Sequence, residues 1–161
     1  MTVQVFNSAL ECGVRCVFIL VAAHPRVLDL QRVVDFDYLS IHSADVGGEA
    51  SLHAPLPLRS AELLIRRALI QRGLLLMISR GLVKQRCSTD GIFYEADESA
   101  ASFTDSLSAP YALALRGRTE WVVRTFGETT DDDLRRLMKS FFNNWTSEFQ
   151  PSETPAAQEP R

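Results

Sequence analysis

The sequence predicts a mainly α fold interrupted by one β-hairpin. Apolar residues recur at three- and four-residue spacing over most of the chain. The exception is "LLLMISRGLVKQRCSTDGIFYEAD", residues 74–97, which reads as a helix end, a glycine, a basic strand, an Asp-Gly turn and a second strand. A helix followed by a two-stranded wing is the layout of a winged helix. The expected fold class is therefore mainly α with one β-hairpin, a winged-helix-like core followed by C-terminal helices. The expected division is 1–96 winged-helix-like domain, 97–149 C-terminal helical extension packed on it, and 150–161 disordered tail, "PSETPAAQEPR" being Pro-rich and polar after Gln150.

Residues 6–23 read as a first helix capped by Asn7 or Ser8, with Leu10, Val14, Val17, Phe18 and Val21 at helical spacing. It stops before His24-Pro25, because the residue preceding proline is pushed out of the α region. Asp29 caps a second helix over 30–43, whose wide apolar face is interrupted by Asp35. Residues 44–58 follow as a long loop with Gly47-Gly48, Pro55 and Pro57. Ser60 caps a helix to Ser79, where Gly73 permits a bend. Gly81 suits a helix C-cap. The hairpin strands are Leu82–Ser88 and Ile92–Ala96, joined around Asp90-Gly91. Asp97 or Ser99 opens a short helix to Leu107. Pro110 stands at the first position of the next, which ends at Gly127. Thr129 or Thr130 caps the last, with Asp131, Asp132 and Asp133 against the positive end of its dipole.

Apolar residues are 46% of 161, enough for a real core, and the net charge of −3 is not that of a free-standing DNA-binding domain. The longest apolar run, Cys16–Ala23, is far short of the roughly 20 residues of a membrane span. It also lacks the basic flank of a signal peptide, so a cytoplasmic protein without membrane attachment is expected. Three cysteines, Cys12, Cys16 and Cys87, with no CxxC, read as reduced thiols.

Charge is uneven. Residues 59–89 carry seven basic groups against Glu62 alone. Within them Arg66, Arg67, Arg80, Lys84 and Arg86 are candidates for contact with nucleic acid or with an acidic partner. The segment Leu74–Ile78 offers nothing that reads a base edge. In the last helix Phe141, Phe142 and Trp145 suit a core or a partner-facing aromatic patch. Asp35 must pair with an arginine or face a partner. His42, Asp45 and His53 contain zinc-ligand types without a zinc spacing, so no metal site is assigned. No P-loop, GxSxG elbow or GxGxxG is present, and neither catalytic residues nor a cofactor are expected.

Several stretches, "LDLQRVVDFDYLSIHSAD", "GGEASLH" and "RSAELLIRRALIQRGLLLMISRGLV", resemble the middle component 2 family of bacterial ABC-three-component systems, and the likeness runs from Phe6 to Trp145. Ala44 and Ala54 stand where the family pattern has glycine and proline. The resemblance implies an interaction subunit that bridges an SMC- or Rad50-like ABC ATPase and an effector, typically a nuclease, in defence against phage or plasmids. It implies similarity to winged-helix subunits of SMC-type complexes, which act as pairs or homodimers and only sometimes touch DNA. The alternative is a winged-helix DNA-binding transcriptional regulator.

Overall fold

A computed structural model describes residues 8–55 and 60–148, with backbone alone for 60–63 and 142–148. The elements are α1 (Ala9–Ala23), β1 (Leu28–Asp29), α2 (Leu30–Ile41), a 3-10 turn (Ser43–Val46), α3 (Ser60–Ser79), β2 (Val83–Ser88), β3 (Gly91–Ala96), α4 (Ala100–Ser106), α5 (Pro110–Phe126) and α6 (Asp131–Glu148). The mainly α fold with one hairpin is as expected.

The start and stop signals act locally. Ser8 accepts from the Glu11 amide and Asp29 from the Arg32 amide, each satisfying an orphan donor of a first turn. Thr130 does the same for the Asp133 amide. At the end of α3, Gly81 holds φ +71°. Its amide bonds Ile78 and the Leu82 amide bonds Met77, a pair of reversed bonds that only a left-handed residue closes cheaply.

Three local expectations are corrected. The hairpin loop is Thr89-Asp90, because Ser88 already faces Gly91 across the ladder. Both loop residues keep negative φ, so the positive φ that the connection needs falls on Gly91 instead. The first helix begins at Ala9, and the loop from 44 opens with a 3-10 turn. The helix α3 runs unbroken through Gly73. A Cβ on Gly73 would lie 2.6 Å from the Gly13 nitrogen, and one on Gly13 would lie 2.8 Å from the Gly73 carbonyl oxygen. Gly73 is there for close passage of α1 across α3.

Periodicity did not announce β1, a two-residue strand. It pairs antiparallel with β3, Leu28 opposite Tyr94, so the hairpin is part of a three-stranded sheet ordered β1-β3-β2. Most of α1 is buried, with Cys16, Val17, Ile19 and Leu20 inaccessible. Leu10, expected on its apolar stripe, is exposed. The helices α4 and α5 pack on α1, and α5 and α6 on α2. One core cluster therefore joins Val33 and Leu39 of α2 with Leu74 of α3, Val83 of β2, Val122 of α5 and Leu134 of α6.

Candidate interaction surface

The five basic candidates divide by what they touch. Arg66 is drawn inward onto Asp37, with its guanidinium 5.4 Å from the centre of the Tyr38 ring. Arg67 donates to the Gln31 side-chain oxygen. On the hairpin, Arg86 bonds Glu95 at 2.7 Å and Lys84 lies 3.7 Å from Asp97. Both basic groups of the wing are thus answered by acids in and just after β3. Arg80 is exposed and has no ion-pair partner among the described residues. The outward side of α3 is mixed: Leu64, Ile65 and Leu75 are exposed by 70%, 60% and 56%, beside exposed Gln71 and Arg72. In α6, Phe141 is buried against Tyr38. The side chains of Phe142 and Trp145, and the tail, lie outside the described residues.

The largest electrostatic feature is one that spacing did not point to. Asp37, wholly buried, is held by Arg15 of α1 through both oxygens, at 2.6 and 3.2 Å, and by Arg66 of α3 at 2.5 Å. Arg15 is itself sealed, with its side chain 3% exposed. Burial alone would raise the Asp37 carboxyl, but the two guanidiniums hold it below its ordinary value. Both guanidiniums share the one Asp37 carboxylate. The less buried of the two is that of Arg66, whose Nε has no acceptor among the described residues.

Asp35, the residue the sequence flagged, has a different fate. Gln31 donates to it at 3.0 Å, and no arginine bonds it among the described residues. Burial raises its carboxyl to about 6. A sign of the true partner did exist: Val33, Asp37 and Ile41 are four apart and share one buried helix face.

His42, Asp45 and His53 do not converge. The His42 ring packs on Tyr38, whose hydroxyl donates to Asp45, and His53 bonds the Tyr111 hydroxyl at 2.8 Å. Burial first, then Arg66 beside His42 and Arg15 near His53, bring both imidazoles down to about 4. Among the described residues no three metal-ligating side chains form a group, and no helix is long and apolar enough to cross a membrane.

A groove of about 480 Å³ runs between α2, α3 and α6. Arg32 of α2 bonds Asp131 at the start of α6, and Tyr38 meets Phe141 further along, so α2 and α6 run parallel beneath it. Its floor is Val34, Tyr38, Leu134 and Met138, with Leu64 of α3 as one wall.

The model of one protein family matches residues 5–148: ABC-three component (ABC-3C) system Middle Component 2. No curated protein and no solved structure matches the chain.

Proposed function

The chain belongs to the ABC-three-component system Middle Component 2 family, and from that membership we propose that it is the non-catalytic adaptor of such a system. In this reading it bridges an SMC- or Rad50-like ABC ATPase and an effector, a nuclease, in cytoplasmic defence against phage or plasmids. DNA is reached through the complex, and the subunit works as one copy or as a homodimer.

The observation that carries the reading is the outward face of α3. In a DNA-reading winged helix this face supplies hydrogen-bonding side chains to base edges. Here Leu64, Ile65 and Leu75 are exposed on it, with Gln71 and Arg72 between them. Exposed aliphatic residues at helical spacing suit a protein partner. The wing agrees, since Lys84 and Arg86 are already paired with acids. The order α1-β1-α2-α3-β2-β3, with the sheet ordered β1-β3-β2, supports a winged-helix-like core. Co-expression with the ATPase encoded beside it tests the proposal. A complex stable on size exclusion is expected, and clean separation of the two proteins rejects the adaptor.

The regulator reading retains one observation: Arg72 and Arg80 are exposed on α3 and at its end, with no ion-pair partner among the described residues. Tight binding of the isolated chain to duplex DNA, lost in Arg72→Glu and Arg80→Glu, would favour it.

A further inference from the structure

We propose that the groove between α2, α3 and α6 is the seat of an amphipathic, acidic helix from a partner subunit, apolar along one stripe and rich in Asp and Glu beside it. The inference rests on the adaptor reading and says where the partner sits and what chemistry it has.

Shape comes first. From Asp131 to Lys139 the α6 wall spans nine residues, about 12 Å at the rise of an α-helix. That length takes apolar anchors at i, i+4 and i+7 of a helix laid along it. Val34, Tyr38, Leu134 and Met138 line the floor, each buried, so an anchor would meet the edges of the core there. Leu64 at the wall is 70% exposed in the free chain and becomes covered when the groove fills.

Charge decides which helix. Among the described residues, five basic side chains line the groove, Arg32, Arg66, Arg67, Arg135 and Lys139, against three acids, Asp29, Asp35 and Asp131. Asp131 is engaged by Arg32 at one end. Arg67 is held by a neutral group, the Gln31 amide oxygen. Among the described residues Arg135 pairs only with the exposed Asp132 of its own helix, a weak partner in water. Lys139 has no ion-pair partner among the described residues. Arg66 is already engaged by Asp37, which it shares with Arg15. Carboxylates on the flanks of a docked helix would complete these donors, and lysines there would meet like charge.

The test uses the full chain co-expressed with the other subunits of its system. Three variants are compared with wild type: Leu64→Glu, the double change Arg135→Glu with Lys139→Glu, and Leu113→Glu, an exposed leucine of α5 away from the groove. The first two should cut the co-purified partner roughly tenfold, the effect of losing one interface anchor, and the third should not. Cross-linking at Lys139 should capture an acidic partner segment, and acid-to-lysine changes in that segment should restore binding to the double variant. The charge variant involves exposed side chains, so it remains informative if Leu64→Glu fails to fold. A wild-type complex that survives both groove variants, or a captured segment without acids, overturns the groove while the adaptor reading stands. Loss of duplex-DNA binding in place of protein binding also overturns it. No complex with wild type removes both.

Discussion

Arg15 and Asp37, 22 residues apart, form a two-point ion pair that no solvent reaches. Removing one member of a buried pair leaves the other charged and unanswered, a loss of about 3–5 kcal/mol. Asp37→Asn, which strands two guanidiniums, is expected to unfold at lower urea than Arg15→Met, which leaves Asp37 with Arg66. In the combined variant the loss should fall well short of the sum of the two. Additive losses in urea titrations would show that the side chains do not act as a unit.

The crossing of α1 and α3 gives a contrast between two glycines. Alanine is the better helix former by about 1 kcal/mol. At Gly117, where a Cβ meets nothing within 4 Å, Gly117→Ala should raise the melting temperature. At Gly73 the new carbon would lie 2.6 Å from one backbone atom of α1 and 2.9 Å from another. Backbone cannot rotate aside as a side chain can. Gly73→Ala should therefore lower the melting temperature, with a net loss of about 1–3 kcal/mol. Equal gains at both positions would mean that the helices do not touch there.

Acid stability should reveal two opposed titrations. The Asp35 carboxyl is raised from 3.8 to about 6, so its contribution is fully present below 3.8 and is lost as pH rises through 6. His42 and His53 are lowered from 6.5 to about 4, so theirs is fully present above 6.5 and is lost as pH falls toward 4. Two histidines against one carboxylate give a chain that loses stability on acidification from 6.5. Asp35→Asn removes the opposing slope. It should steepen that loss and raise stability at pH 7.5 by on the order of 2 kcal/mol. An unchanged slope in urea titrations across pH 4–7 would contradict this assignment.

The wing makes a prediction about salt. Lys84 and Arg86 already face Asp97 and Glu95. Each phosphate neutralised by a protein contributes close to one unit to the salt slope of DNA binding. Binding of the isolated chain to duplex DNA should be weak, with a shallow slope, and Lys84→Glu and Arg86→Glu should alter it little. A steep slope that collapses in these variants would bring back the regulator.

Much of the fold was legible because its signals are local. Asp29, Gly81, Pro110 and the Asp131–Asp133 run act within a turn of where they stand, and sequence spacing reports that distance. The two-residue β1 is too short for any period to show, and only its pairing with β3 defines it. The candidate surface was harder. Arg66, Arg67, Lys84 and Arg86 were legible as basic residues. Their partners Asp37, Gln31, Asp97 and Glu95 are brought to them by folding, and those partners decide whether a charge is free. The purpose of Gly73 was hidden for the same reason. A glycine in a helix permits either a bend or a close neighbour, and the neighbour, Gly13, is sixty residues earlier.

The ion pairs of Asp37 tie α1 and α3 to α2, while Gly13 and Gly73 hold α1 and α3 backbone to backbone. Sliding these helices past one another would strand a charge or open a void, and both are costly in a packed interior. The subunit is accordingly stiff across this direction. A push on α3 arrives at α1 and α2 as displacement of the whole body, so the molecule behaves as a strut and not as a hinge.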